Sequence, residues 1–223
     1  MATGPVAGHS TGKPLPFKKW DVGVSVKALM LYEYMQLKAL GLSEEAFQYA
    51  YKGYQKLISK NKISNSDYIT ICDFSQSSRM KRLYVIDLKN VKVVVNTYVA
   101  HGRNSGFEYA TRFSNKPTSR ESSLGFYITS TTYTGGHGLA LIINGVEPGI
   151  NDNAARRRIV VHGSKYVGEN YLAFKNYIGR SYGCPAVPQN ECKEIINYIK
   201  NGSCLFIYHP DKKYLNGSKI LNG

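Results

Sequence analysis

Near the start of the chain, apolar residues recur at helical spacing: Val26, Leu29, Met30, Leu37 and Leu40, with tyrosines between them. The pattern predicts a helix over Val24–Leu40, ended by Gly41. Ser43-Glu44-Glu45 then reads as a second helix start, a Ser N-cap with acidic residues in the first turn. Ala46, Phe47, Ala50, Tyr51, Tyr54, Leu57 and Ile58 keep one helical face to about Lys60. Only Gly41-Leu42 separates the two, so an antiparallel hairpin is expected.

Asn61–Ser66 is a polar connector, and beyond it the period changes. Tyr68–Phe74, Arg82–Leu88 and Val91–Ala100 are rich in Val, Ile, Tyr and Thr, as strands are. Lys89-Asn90 reads as a hairpin turn between the last two. Gly102–Ser122 is long, polar and without periodicity; loops of about 20 residues are uncommon and often functional. Leu124–Thr132, Leu139–Ile143 and Ile159–Val161 are further strands. Cys192, Ile195, Ile196 and Ile199 mark one helical face, closed by Gly202. Leu205–Tyr208 reads as a last strand. The body is therefore mainly β, with helices at its start and near its end.

Of 223 residues, 43% are hydrophobic and 20% charged, a globular composition that excludes a wholly disordered chain. No apolar run approaches the roughly 20 residues of a membrane-spanning helix. There are 29 basic and 15 acidic residues, a net charge of +14 that favours anionic partners without choosing among them. No helix-turn-helix, zinc finger or RNP motif accompanies the charge, so a nucleic-acid partner is not expected. The densest basic clusters, Arg79–Arg82 and Arg156-Arg157-Arg158, each adjoin a strand-like run and read as solvated strand starts.

Cysteine and histidine offer the candidate chemistry. Cys72 and Cys204 fall in strand runs and Cys192 on an apolar helix face, positions of small core residues. Cys184 lies on an aperiodic loop, Gly179-Arg180-Ser181-Tyr182-Gly183-Cys184-Pro185. Gly183, lacking Cβ, lets a substrate carbonyl approach the surrounding amides, which could form an oxyanion hole. A thiol needs a base or a positive neighbour to ionise near neutral pH. His162, at the end of Arg158-Ile159-Val160-Val161 and before Gly163, is the best-placed base. No CxxC or HxxxH spacing supports a metal site, and neither metal nor cofactor is expected.

Ile159-Val160-Val161-His162-Gly163, followed by Ser181-Tyr182-Gly183-Cys184, resembles the signature of the L,D-transpeptidase (YkuD-like) catalytic domain: a His-Gly, a spacer, then Ser/Thr-His-Gly-Cys. Val99-Ala100-His101-Gly102 is similar to the strand end before that family's long loop. Ser123-Leu124-Gly125-Phe126-Tyr127 resembles its Thr-Pro-x-Gly-x-Phe element. The likeness covers about residues 68–210. Three departures stand out. Position 182 is Tyr rather than His. Eighteen residues separate His162 from Ser181, slightly more than the common spacer. Pro185-Ala186-Val187-Pro188 replaces the usual apolar-then-Arg/Asn sequence, as in a divergent branch with Gly-Cys-Pro-Ala-Val-Pro.

The resemblance implies a β-sandwich-like catalytic fold and an enzyme of bacterial peptidoglycan. Cys184 would attack the carbonyl of the third residue of a stem tetrapeptide and release D-alanine from the resulting thioester. His162 would handle the proton, and the amides of Tyr182, Gly183 and Cys184 would hold the oxyanion. An amine of a second stem would give a cross-link between third residues; water would make the enzyme an L,D-carboxypeptidase. A non-catalytic wall-binding domain is a further alternative. Ser181 either positions His162 or a substrate amide, or is only a turn residue. Arg180 is a candidate for a stem carboxylate, or simply an exposed arginine. His101, His137 and Gly163 are candidates for the cleft lining. The expected organisation is a flexible arm or appended extension over 1–20, a helical segment over 21–64, the catalytic domain over 65–210 and a tail over 211–223. The substrate is extracytoplasmic, so the native product is expected in the periplasm or cell envelope, exported by a signal that this chain lacks.

Overall fold

The computed structural model describes residues 22–136 and 138–223; the expected arm and His137 lie outside them. The first helix, α1, runs over Val22–Tyr34 and not to Leu40. Its end is a Schellman turn: Gln36 adopts a φ of 51° and the Leu37 amide reaches back to the Tyr32 carbonyl at 3.2 Å. A second such turn follows, with the Leu42 amide on the Leu37 carbonyl and Gly41 at a φ of 90°. Gly41 therefore closes a turn beyond the helix, which has already ended at Tyr34, and not the helix itself. The buried positions are Ala28, Tyr32 and Leu37, whereas Val26, Leu29 and Met30 of the predicted apolar face are exposed.

The second helix, α2 (Glu44–Ser59), starts as expected, the Ser43 hydroxyl accepting from the Ala46 amide at 3.2 Å. It buries Phe47, Ala50, Tyr51, Tyr54 and Leu57 in the same core as the strands. Helix and sheet approach so closely at Gly53 that a Cβ there would stand 1.9 Å from Phe126 Cζ. That glycine is a packing requirement, set inside an otherwise regular helix.

Eight strands follow: β1 (Tyr68–Asp73), β2 (Leu83–Asp87), β3 (Lys92–Thr97), β4 (Gly125–Gly135), β5 (Gly138–Gly145), β6 (Val160–Ser164), β7 (Ala186–Pro188) and β8 (Cys204–Tyr208). They form one sheet in the order β3-β2-β1-β8-β4-β5-β6-β7. Most neighbours are antiparallel, but β1–β8 and β6–β7 are parallel. Every residue of β2 and β8 is buried, which explains why these strands read as continuous apolar runs instead of alternating ones. Beyond β3 the chain turns back so that Ala100 bridges to Ala186 of β7, bringing the two ends of the sheet order together.

Four helices complete the described residues. Two of them, α3 (Glu169–Leu172) and α4 (Cys192–Ile199), lie between β6 and β8 in sequence. The residues expected as a tail instead form α5 (Lys212–Gly217) and α6 (Lys219–Asn222), which bury Tyr214, Leu215, Ile220 and Leu221. Glu147 fastens them: its buried carboxylate accepts from the Tyr214 hydroxyl at 3.1 Å, the Phe126 amide at 2.8 Å and the Ser218 hydroxyl. No described helix is long and apolar enough to cross a membrane.

Candidate active site

The parallel pairing of β6 with β7 builds the site. His162 on β6 is in register with Ala186 on β7, two residues after Cys184. The strand fixes the histidine backbone, and the short β7 anchors the loop that carries the cysteine. Both side chains line one open cleft of roughly 1140 Å³. Ser181, Tyr182 and Arg180 line it as well.

The imidazole is 5% exposed, with Nδ1 at 3.0 Å from the Gly163 carbonyl. A carbonyl only accepts, so Nδ1 carries a proton and donates it to Gly163. The Cys184 thiol is partly buried and donates to the Arg158 carbonyl at 3.7 Å. Burial pushes its pKa up, opposed by a backbone hydrogen bond from Val160 and by the charge of Arg157. Burial therefore favours the protonated thiol. The other three cysteines are free and buried. Burial pushes the Cys72 thiol up to about 12.

Two segments hold the Cys184 loop in shape. The Ser181 hydroxyl donates to the Cys184 carbonyl at 2.6 Å and accepts from the Gly183 amide at 3.0 Å. The Gly183 amide, expected in the oxyanion hole, is thus already engaged. From outside, the Ser181 amide donates to the His101 carbonyl at 3.0 Å, and the Arg103 amide to the Ser181 carbonyl at 2.8 Å. Gly183 has a φ of +120°, and a Cβ there would stand 2.7 Å from the Glu121 carbonyl oxygen. Both facts exclude a side chain.

Several expectations are corrected. His101 does not line the cleft; it is 1% exposed. Its Nδ1 lies 2.7 Å from Nη2 of the fully buried Arg82, and its pKa is pushed down to about 3, first by burial and then by that guanidinium. Arg82, read as part of a solvated cluster, donates to the Val99 and Gln76 carbonyls and lies over the Phe74 ring. Gly163 contributes its carbonyl to His162, while its Cα side faces Gln189 and Cys192. Arg180 stands at the cleft, but one of its nitrogens donates to the Arg103 and Gly106 carbonyls, so it also ties two loops. Tyr182 is exposed, its ring under the Arg120 guanidinium at 4.8 Å.

Sequence reasoning missed Arg157, one of five Lys and Arg residues that line the cleft with Arg103, Arg158, Lys175 and Arg180. No Asp or Glu lines it among the described residues. The triple-arginine run was the available signal, but it did not say which arginine turns inward. No group of three or more His, Cys, Asp or Glu among the described residues could hold a metal ion.

Solved structures similar to this chain include an L,D-transpeptidase from Mycobacterium smegmatis, at 10% identity and a TM-score of 0.40 over 64% of this chain and 59% of that one. L,D-transpeptidase 3 from Mycobacterium tuberculosis, in complex with a faropenem-derived adduct, matches at 12% identity and a TM-score of 0.40, over 64% of this chain and 60% of that one. An L,D-transpeptidase from Xylanimonas cellulosilytica matches at 14% identity and a TM-score of 0.37, over 83% of this chain and 93% of that one. The chain thus spans about three-fifths of the length of the mycobacterial proteins. Comparison with curated proteins gives no match. The family described as the L,D-transpeptidase catalytic domain matches residues 38–208, well over half of the chain, and the protein belongs to that family.

Proposed function

We propose that the protein is a peptidoglycan L,D-transpeptidase with Cys184 as nucleophile and His162 as general base. The observation that carries this reading is the meeting, in one open cleft, of the Cys184 thiol on its glycine-containing loop and the His162 imidazole on the neighbouring strand β6. Burial favours the protonated thiol, and a base acting when the substrate is in place offsets that bias.

His162 takes the thiol proton as sulfur attacks the carbonyl carbon of the third stem residue. A C–S bond forms, and the carbonyl electrons move onto oxygen. The amides of Tyr182 and Cys184 are the donors we assign to that oxyanion, because Ser181 occupies the Gly183 amide. The C–N bond to D-alanine then breaks, the protonated His162 returning its proton to the leaving amine. The amine of a second stem attacks the thioester, the C–S bond breaks, and the proton passes by way of His162 back to sulfur. Protein groups account for every proton in this sequence, and the cationic lining suits a peptide that bears carboxylates. This substrate places the protein in the periplasm or cell envelope, which fractionation of the native host tests.

Release of D-alanine from a purified disaccharide-tetrapeptide, with mass spectrometry of the products, tests the reaction. Wild type should release D-alanine and form a dimer linked through third residues, and Cys184→Ala should do neither. Tripeptide without dimer would identify water as the acceptor and the enzyme as an L,D-carboxypeptidase. Undiminished turnover by folded Cys184→Ala would overturn the reading.

A further inference from the structure

The four residues after Cys184 are Pro-Ala-Val-Pro, so the chain places no cation directly beyond its nucleophile. Burial raises the thiol pKa, which makes a positive neighbour more consequential. Of the three consecutive arginines before β6, Arg156 and Arg158 are exposed and Arg157 is half-buried.

The Arg157 guanidinium is held on both of its terminal nitrogens. Nη1 donates to the Ser114 carbonyl at 2.7 Å and to the Ser123 hydroxyl at 2.5 Å. Nη2 donates to the Ser119 hydroxyl at 3.3 Å and to the Glu121 carbonyl. All four acceptors are neutral oxygens; the Glu121 carboxylate lies 3.8 Å from Arg112 and acts on Arg157 by charge attraction without a direct ion pair. Hydrogen bonds to neutral groups fix an arginine without cancelling its charge, and that charge remains available to its neighbours. Those neighbours are the nucleophile loop: a Cβ on Gly183 would stand 3.0 Å from Nη2.

We propose that Arg157 is the positioning and electrostatic residue of the nucleophile. It clamps the 114–123 loop against Gly183 and supplies the positive charge that favours the Cys184 thiolate. The other titratable or charged groups that line the cleft with the thiol are His162 on β6, Tyr166 after it, Arg158 before it, Arg180 and Tyr182 on the nucleophile's own loop, and Arg103, Lys175, Tyr133, Tyr171 and Tyr177 around them. Arg158 offers the sulfur its carbonyl. The lowering effect of Arg157 on the thiol pKa agrees with the geometry.

The inference rests on Cys184 as nucleophile, and it is tested without substrate. Alkylation of Cys184 by iodoacetamide is followed against pH by intact mass on the full chain. Arg157→Gln should move the midpoint of the rate profile up by about one pH unit and slow the reaction at pH 7 about tenfold. Arg157→Lys, which keeps the charge and loses the fork, should stay within about half a unit of wild type, and Arg156→Gln should match it. A folded Arg157→Gln with the wild-type midpoint would overturn the proposal. So would Arg157→Lys shifted by a full unit, which also decides the matter should Arg157→Gln not fold. Loss or retention of D-alanine release in Cys184→Ala judges the transpeptidase reading separately.

Discussion

Ser181 closes its loop onto Cys184, its hydroxyl donating to the Cys184 carbonyl at 2.6 Å while accepting from the Gly183 amide at 3.0 Å. One side chain therefore sets the direction of two peptide units beside the Cys184 thiol. Ser181→Ala leaves a buried amide without its acceptor, a loss of about 1–3 kcal/mol. D-alanine release should fall about 10- to 100-fold, with kcat more affected than KM. Ser181→Thr, which keeps the hydroxyl, should recover most of the rate. An unchanged kcat in Ser181→Ala would show that the loop holds its shape by other means.

Position 183 separates backbone from side-chain contributions in the same loop. At a φ of +120°, with the Glu121 carbonyl oxygen 2.7 Å from where a Cβ would lie, Gly183→Ala must shift the loop. The cost should be about 100-fold or more, comparable with loss of an oxyanion donor. Tyr182→Phe should stay within about tenfold, or roughly 1.4 kcal/mol of barrier, because that side chain is solvent-exposed. Steady-state rates of both variants, with circular dichroism as a folding control, check the pair. A dead Tyr182→Phe beside an active Gly183→Ala would mean that the hydroxyl takes part in the chemistry.

Buried His101 predicts an acid limb in stability. Its folded pKa, about 3, lies below the ordinary value of 6.5. Above pH 6.5 the ring is neutral both folded and unfolded, and its protonation contributes no pH dependence. As pH falls from 6.5 towards 3, the unfolded chain binds a proton that the folded one does not, so stability is lost across that window. Denaturant midpoints measured every half pH unit should fall more steeply in wild type than in His101→Gln. Parallel curves would show that the acid limb belongs to other groups.

Gly53 gives a stability prediction of unusual sign. In most helix interiors Gly→Ala stabilises by roughly 0.5–1 kcal/mol. Here the added methyl would meet Phe126, whose ring stacks on Phe206 at 4.2 Å. Gly53→Ala should therefore destabilise by about 1–3 kcal/mol, seen as a lower thermal midpoint. A raised midpoint would mean that the Phe126–Phe206 stack yields easily.

The strands and the second helix were legible in the sequence because their signals are local: β-branched runs, a Ser-Glu-Glu start and one apolar stripe. The loop position of Cys184 was legible from its aperiodic glycine-containing segment, whereas His162, read at a strand end, lies in the middle of β6. What escaped was set by tertiary packing. Three-residue β7 follows Pro185 and itself ends on Pro188, and it becomes a strand only because β6 accepts it as a parallel neighbour. The Schellman turn at Gln36 uses a residue with no preference for positive φ. In each basic cluster one arginine, Arg82 or Arg157, turns inward to carbonyl acceptors that are far away in sequence. Charge spacing along a strand start carries no record of those acceptors.

The position of β8 governs how the chain reaches its fold during synthesis. This strand is the last in sequence, yet it lies between β1 and β4, pairing Ile69 with Cys204 and Phe126 with Phe206. On a ribosome, the β1–β3 meander emerges first, and apart from the bridges after Val99 to the β7 region it has no strand pairing with the β4–β7 half until residues 204–208 arrive. The joining contact spans some 135 residues, so loop closure comes late and the two half-sheets wait with unpaired edges. A nascent chain stopped at Ser203 lacks the strand that pairs with both β1 and β4, and such a fragment is exposed to edge-to-edge aggregation.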